Sequence, residues 1–573
     1  MSTPPRTSTD PARLQAENWL RGELRGYALD RLPAVMVPGR FVVLPALPTL
    51  PNGKTDRRAL PVDELDGPAA EAELEAPADG TEQVLADIWR DLLGVGAIWR
   101  TADFFELGGD SLSMARMVAT ARRRLDTELD LRAVLAAPRL DRIAALVDAP
   151  GVAVPAPAAP AARTANPRSV AAAELRAAAV LPADVRAGAP VVPAAEVRRV
   201  LVTGGTGYTG AHLIRELLDR SDAELVVLVR AADEAAGLRR VQDAMRRYGL
   251  HRPADAGRLR AAVGDLALPG FGLAPRDYHR LARTVGMVVH NGAWSSYALP
   301  FRRLLPVNVL GTLEVLRFAT AGGATKPVHY VSSLAVYPGV AGAPVWLEDE
   351  LPEPDGVVGG YRQTKWVGDR MMRLATERGI PTTVYRPGQI AGSQRSGACA
   401  EDTFLNAATK GCIQLGAALD FDVSLEITPV DYACAAVAEL ALSGAHAGRS
   451  FNLPGARPLP WNDWVDQLRA LGYRLERRDY RGWLADLRDQ CAGGPGNELD
   501  RFLPLFDESA PSLDLGYEGS APRFDDTNTR TALAGTGIAP AEPDLALVGR
   551  YVEWFRASGF LPAPAAELTG GTR

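Results

Sequence analysis

The stretch "YRQTK" sets Tyr361 and Lys365 four residues apart, which makes them neighbours on one face of a helix. An ammonium beside a phenol favours the phenolate and lets the hydroxyl pass a proton near neutral pH. Fourteen tyrosines and four lysines in 573 residues would give this spacing by chance about one time in ten. Upstream, "YVSSLAVY" ends an apolar run with Ser332 and Ser333, where a hydroxyl can help hold an oxyanion; paired serines at a strand end are also common turn residues. Earlier still, "GGTGYTG" places Gly204, Gly207 and Gly210 as GxxGxxG, and Gly205, Gly207 and Gly210 as GxGxxG. Glycines in such a loop let the backbone turn tightly and approach a pyrophosphate on the N-terminus of the following helix. A strand before it and a helix after it favour dinucleotide binding over a plain turn, with Gly204, Thr206, Gly207, Tyr208 and Gly210 as candidate cofactor-binding residues. The next strand ends at Arg230, where an NAD binder usually carries Asp or Glu. A guanidinium there suits the 2′-phosphate of NADP, the alternative being a solvated arginine in an Arg-rich chain. A last pattern, "FFELGGDSLSMARM" (104–117), puts Gly108, Gly109 and Asp110 before Ser111. Either Ser111 is ordinary helix punctuation, or it is kept unobstructed to carry a covalent arm.

The elements that must position these residues are legible in the hydrophobic pattern. "RRVLVTGG" (198–205), "AELVVLVR" (223–230), "VGMVVHNGA" (285–293) and "KPVHYVSS" (326–333) predict buried strands, and "YTGAHLIRELLDR" predicts a helix. Strands alternating with helices predict an α/β Rossmann-type, doubly wound parallel sheet. After about residue 440 the pattern loosens into helical segments such as "WNDWVDQLRALG" and "YRGWLADLRDQ", a smaller, mostly helical lobe. Ahead of the sheet, "TEQVLADIWRDLLG" (81–94), "SLSMARMVATARRRL" and "LDRIAALVDA" predict a small helical bundle. In its second helix Leu112, Ala115, Met117, Val118 and Leu125 share one broad face. Between the two parts, "GVAVPAPAAPAARTANPR" (151–168) is an Ala/Pro linker that would span on the order of 50 Å at ~3.1 Å per residue.

Composition narrows the function classes. A net charge of −6 with no basic run interleaved with aromatics argues against nucleic acid or an anionic membrane as partner. The opening "MSTPPRTSTD" has no apolar core, so no signal peptide is expected, and no apolar run approaches a membrane span. Cys399, Cys412, Cys434 and Cys491 are too few and scattered for a disulfide framework, and the six histidines form no HxH or HxxxH pair. A cytoplasmic, metal-free protein is expected.

Taken together, the glycine loop, YxxxK, "AELRAAAVLPADV", "GDL" (264–266), "HNGA" (290–293), "VNVLGT" (307–312), "VYRPGQIAG" (384–392) and "TKGCIQLG" (409–416) resemble the extended short-chain dehydrogenase/reductase superfamily. The closer resemblance is to its thioester reductase branch, the terminal reductase domains of nonribosomal peptide synthetases and carboxylic acid reductases, over roughly residues 170–570. It implies Ser333, Tyr361 and Lys365 as the catalytic set. Asp265, Leu266 and Asn291 would line the adenine and nicotinamide path, Lys365 would also hold the cofactor, and Asn308 would support them. "WSSY" after "HNGA" departs from the Asn and Phe of many relatives, which bears on the shape of the substrate channel. "LGGDSL" in a helical bundle resembles a peptidyl or acyl carrier, with 4′-phosphopantetheine on Ser111 placed there by a phosphopantetheinyl transferase. "LPAVMVPGRFVVLPALPTLPNGKTDRRAL" (32–60) resembles the end of an adenylation domain, with Lys54 matching its carboxylate- and ATP-orienting lysine; the ATP-binding portion has no counterpart here.

The implied domains are an adenylation remnant (1–66), a carrier (76–150), the linker (151–168) and a thioester reductase (169–573), with its NADP-binding core at about 197–440 and a substrate lobe at about 440–573. The implied reaction is NADPH-dependent reductive release of a carrier-bound acyl or peptidyl thioester as an aldehyde, or as an alcohol where a second round follows. An upstream synthetase or a trans-acting adenylation enzyme would load the carrier. Two other readings stay open on these residues: a nucleotide-sugar epimerase or dehydratase using the same Ser/Tyr/Lys set, and a non-redox module, either a carrier scaffold or a Dieckmann-type releasing domain.

Overall fold

The structure, a computed structural model, describes residues 169–564 except 297–298, 339–344, 493–495, 507–516 and 519–521. Within 76–148 it describes 76–78, 80–93, 98–102, 104, 111–125, 127, 129, 134 and 139–148. The proposed adenylation remnant with Lys54, residues Gly108 to Asp110 and the Ala/Pro linker lie outside the described residues. The chain divides into two compact units, Met1–Pro155 and Ala156–Arg573.

Among the described residues of the first unit, the helices Thr81–Leu93, Ser111–Leu125 and Leu140–Asp148 enclose one apolar core. Leu85, Ile88 and Trp89 of the first meet Met114, Met117, Val118 and Ala121 of the second and Ile143 and Val147 of the third, all at helical spacing. Trp89 meets Phe104 edge-on, with ring centroids 5.0 Å apart. The side chains of Leu112 and Ala115, expected on the same face, lie outside the described set.

The second unit is built on a seven-stranded parallel sheet. Its strands are β1 (Arg199–Thr203), β2 (Glu224–Val229), β3 (Leu259–Val263), β4 (Met287–His290), β5 (Val328–Val331), β6 (Thr382–Pro387) and Ser450–Leu453. The spatial order is Ser450–Leu453, β6, β5, β4, β1, β2, β3. The order reverses at β1, where Leu201 pairs with Val226 on one side and Val288 on the other. A doubly wound sheet opens its ligand crevice at that reversal, beyond the carboxyl ends of the strands. Helices cover both faces, so strands such as β1 and β4 read as unbroken apolar runs. Ile214 and Leu217 of the helix Tyr208–Arg220 and Val437 and Leu440 of Val430–Ser443 pack on Val200, Val202 and Val289. On the other face Leu316 and Phe318 of Gly311–Thr320 and Val367 and Met371 of Gly360–Glu377 pack on Leu201, Val226 and Val288.

The expected cut near residue 440 is not a single cut. Ser450–Leu453 returns to extend the main sheet by pairing with β6. Conversely, Leu405, Cys412 and Leu425 already belong to the separate lobe core with Trp461, Trp464, Trp483 and Phe555. The chain leaves the sheet after β6, starts the lobe, returns through Val430–Ser443 and Ser450–Leu453, and leaves again. Besides its helices the lobe carries short strands, among them Ala417–Leu419 paired with Glu476–Arg478.

Candidate functional site

At the end of β1 the backbone turns through Gly204 at φ 72°, and a Cβ there would stand 2.7 Å from the Cα of Gly292. Only glycine fits. A Cβ on Gly210 would stand 2.1 Å from the Gly204 carbonyl oxygen, so this glycine seats the helix on the loop. Gly207 caps the helix Tyr208–Arg220 and is exposed, so its backbone can be approached from solvent. The first-turn N–H groups have no intrahelical acceptor, and with that glycine cap they fit an anionic pyrophosphate.

The other candidate cofactor residues gather around this loop. Asn291 donates from Nδ2 to the Gly204 carbonyl at 3.4 Å. The Leu266 side chain lies against Gly292, where a Cβ would come 2.5 Å from Leu266 Cδ1. Asp265, just past β3, accepts from the Ala267 N–H at 2.9 Å and so holds its own turn. Thr206 is half-buried in the loop. Tyr208 is placed differently from its expected role, because its hydroxyl donates to the carbonyls of Ala391 at 3.0 Å and Ala398 at 2.7 Å. That hydroxyl clamps the helix start to the segment after β6. Arg230 is exposed at the end of β2, and the guanidinium of Arg240, a residue that no sequence motif singles out, donates to the Arg230 carbonyl.

Tyr361 and Lys365 lie in the first turns of the helix Gly360–Glu377. Gly359, at φ 96°, turns the chain into it, and a Cβ on Gly360 would stand 2.4 Å from the Leu299 carbonyl oxygen. Lys365 is buried, and its Nζ donates to the Val331 carbonyl of β5 at 2.7 Å, 6.0 Å from the centre of the Tyr361 ring. Ser333 stands two residues beyond that carbonyl. Arg362 donates from Nε to the Ala335 carbonyl at 3.1 Å, which ties the helix start to the turn carrying the serine. The Ser333 hydroxyl oxygen accepts from the Ala335 N–H at 3.1 Å, and a hydroxyl that accepts keeps its own proton to donate. The helix and the end of β5 thus bring Ser333, Tyr361 and Lys365 to one rim of the sheet.

Burial pulls the Lys365 ammonium down to about 7, with the charge of Asp369 acting against that fall. Asn308 is buried in a π-turn (Pro306–Leu310); it accepts from the Trp294 N–H at 2.7 Å and donates to Thr364 Oγ1 at 3.0 Å. Thr364 in turn donates to the Tyr361 carbonyl at 2.8 Å, so Asn308 links the "HNGA" loop to the tyrosine helix. His290, overlooked within that motif, is fully buried between Thr203 Oγ1 at 2.7 Å and Thr312 Oγ1 at 3.0 Å. Burial and then the Lys365 charge push its imidazole down to about 3, so it is a neutral spacer. Among the described residues no group of His, Cys, Asp and Glu could hold a metal ion, and no helix is long and apolar enough to cross a membrane.

In the first unit, Ser111 is the first residue of the fifteen-residue helix Ser111–Leu125.

Comparison with known proteins bears on both units. Residues 83–147 match the family model "Phosphopantetheine attachment site", and residues 202–437 match the "Male sterility protein" NAD-binding model. The solved terminal R domain of the myxalamid PKS-NRPS biosynthetic pathway is 36% identical, with a TM-score of 0.64, over 69% of this chain and 99% of that one. The chain belongs to the carrier and terminal reductase family of nonribosomal peptide synthetases. Its reductase is an oxidoreductase of the extended short-chain type. A linear gramicidin synthase of Brevibacillus parabrevis is 31% identical over 94% of this chain, which spans 10% of that relative. Isonitrile lipopeptide synthase of Streptomyces coeruleorubidus is 32% identical over 95% of this chain, which spans 37% of that relative. The chain thus spans between a tenth and about two fifths of the length of these synthetases.

Proposed function

We propose that this chain releases an acyl or peptidyl group from its own carrier by NADPH-dependent reduction of the thioester, giving an aldehyde; a second round, where it occurs, would give an alcohol. The observation that carries this reading is the Tyr361–Lys365 pair, its lysine bonded at 2.7 Å to Val331 at the end of β5, two residues before Ser333, in one chain with a phosphopantetheine-attachment unit. When bound, the nicotinamide supplies hydride to the thioester carbonyl carbon. Tyr361 donates its proton to the carbonyl oxygen as charge develops, and Ser333 donates a hydrogen bond to the same oxygen. Lys365 would reach both the phenol and the nicotinamide ribose. Gly204, Thr206, Gly207, Gly210 and the Tyr208 N–H would cradle the pyrophosphate, while Asp265, Leu266 and Asn291 line the path of the two ring systems. The arm held by Ser111 would present the thioester and leave as its free thiol once the carbon–sulfur bond breaks. This reading keeps the division into remnant (1–66), carrier (76–150), linker (151–168) and reductase (169–573) as part of the proposal. A phosphopantetheinyl transferase installs the arm, a synthetase module or trans-acting adenylation enzyme supplies the acyl group, and the setting is cytoplasmic.

The test is a loaded carrier. With acyl-pantetheine on Ser111, NADPH should be consumed and an aldehyde should be trapped by a hydroxylamine. Release of a cyclic product without NADPH would establish a Dieckmann-type domain instead.

The choice of cofactor rests on Arg230 at the end of β2, whose carbonyl accepts from the guanidinium of Arg240 on the following helix. NADPH should be preferred over NADH, and Arg230→Ala should erode the preference about tenfold or more by weakening contact with the 2′-phosphate. Equal kcat/KM for the two cofactors in the wild type would remove this claim.

A pH dependence follows from Lys365, whose ammonium is held near 7 by burial. The lysine acts as a cation, so activity is present below that value and is lost as pH rises through it. The kcat/KM for NADPH, which reports the free enzyme, should therefore fall above about pH 7. A profile flat to about pH 9 would show that a charged Lys365 is not required.

A further inference from the structure

We propose that Asp369 is a positioning residue for the reductase chemistry, a fixed buried anion that keeps protons on the Tyr361–Lys365 pair and anchors the strand end bearing the serines. This rests on the catalytic role proposed above for that pair.

Asp369 lies four residues after Lys365 and eight after Tyr361, so the three follow one stripe of the helix Gly360–Glu377. Its side chain is fully buried. A carboxylate at such a site stays charged only with strong partners. Arg386, also fully buried, grips it with both arms of the guanidinium, Nε to Oδ2 at 2.7 Å and Nη2 to Oδ1 at 2.9 Å. Arg386 is itself fixed by the Glu348 carbonyl at 2.7 Å and the Tyr337 hydroxyl oxygen at 2.7 Å. Ser332 Oγ donates to Asp369 Oδ2 at 3.1 Å, and Arg373 Nε lies 3.6 Å from Oδ1. Burial works to raise the carboxyl, but the Arg386 charge, its hydrogen bonds and Arg373 hold it below the ordinary carboxylate range. Asp369 therefore stays ionised at working pH.

A structural ion pair needs no more than Arg386. Two observations give Asp369 a larger part. Ser332 directly precedes Ser333, so the carboxylate pins the end of β5 from which the oxyanion donor projects. Lys365, with its Nζ bonded to Val331 of the same strand, takes its opposing charge from Asp369. The groups facing that ammonium are Tyr361 and Asp369 from its own helix, Tyr330 of β5 with its ring centre 5.0 Å away, and neutral His290 of β4; Arg386 of β6 acts through Asp369. Asp369 is thus the one fixed anion among these groups.

The sign of its effect does not depend on which member of the pair loses a proton first. A nearby negative charge holds protons on a phenol and on an ammonium alike, so neutralising it lowers the first macroscopic pKa of the coupled pair. The test is the pH profile of kcat/KM for NADPH with carrier-loaded substrate, alongside the melting temperature and NADPH affinity. Asp369→Asn should move the alkaline fall down by about one to three pH units, the range for a single close charge. Arg373→Gln removes a cation beside Asp369, together with a hydrogen bond to the Asp349 carbonyl, and should move the fall upward by a few tenths of a unit. Ser332→Ala, which keeps the charge, should leave the fall in place while lowering kcat. Opposite shifts in the two charge variants support the proposal. An alkaline fall unmoved in Arg373→Gln, together with an Asp369→Asn that is unmoved or unfolded, would leave Asp369 as a purely structural partner of Arg386 and overturn it. Failure of the underlying reading would show elsewhere, as full activity in Tyr361→Phe.

Discussion

Tyr361→Phe should lower turnover of the loaded carrier by about 10²–10⁴-fold while NADPH still binds. Phenylalanine keeps the ring over its neighbours and removes only the hydroxyl. The loss is placed on the proton donor because the rest of the rim can orient the carbonyl oxygen but is not built to give it a proton. Ser333 offers a hydrogen bond, Lys365 is tied to the Val331 carbonyl, and His290 is enclosed by Thr203 and Thr312. Losing a donor to the oxyanion adds to the loss. Lys365→Ala should be worse in kind, because it removes a charge beside the phenol and a hydrogen bond to β5 together, and both kcat and KM for NADPH should suffer. Single-turnover kinetics with cofactor titration separate the effects. Wild-type release by Tyr361→Phe would rule out the Tyr–Lys mechanism and leave the pair as a fold-stabilising contact. An epimerase-type activity would instead leave NADPH untouched and ignore the loaded arm.

What can be read in the sequence follows from how locally each feature is determined. The glycine loop is legible because a strand, a tight turn and a helix lie within about twenty residues and each glycine answers a backbone constraint that no other residue meets. The Tyr361–Lys365 pair is legible for the same reason, one helix face. β3 escapes the pattern because at the edge of the sheet it alternates buried Leu259 with exposed Arg260 and small alanines, and so lacks the unbroken apolar run of β1 or β4. Ser450–Leu453 escapes it because four residues carry little pattern, and its Asn452 is buried only by virtue of distant partners, Tyr337 and the Asp525 carbonyl. The interleaving of lobe and sheet is hidden with that strand. Asp369 and Arg386 are silent for a related reason: the pair joins a helix to β6 across seventeen residues, and nothing in either neighbourhood announces the other. Tyr208 shows the converse limit. Its place in the loop is clear, but the acceptors of its hydroxyl come from the segment after β6.

Ser111→Ala should abolish release from the carrier altogether, a larger effect than any change at the reductase rim, yet leave reduction of a diffusible acyl-pantetheine thioester intact. With coenzyme A and a phosphopantetheinyl transferase, the wild type should gain one arm and the alanine variant none. The physical ground is the place of the serine. It opens a fifteen-residue helix whose second turn onward is committed to the core through Met114, Met117, Val118 and Ala121, so the helix start is rigidly based. The first four backbone N–H groups of a helix have no intrahelical acceptor, and together with the dipole they favour a phosphodiester at that end. Tethering then makes the second encounter intramolecular, with an effective concentration in the millimolar range for a short flexible arm, which a free thioester must match in bulk. The diffusible substrate should accordingly show a high KM with a kcat near that of the loaded protein. Attachment at Ser113, two residues further into the helix, or no added mass at all, would show that Ser111 is helix punctuation. Equal turnover of tethered and free thioester at micromolar concentration would show that the arm contributes nothing to delivery.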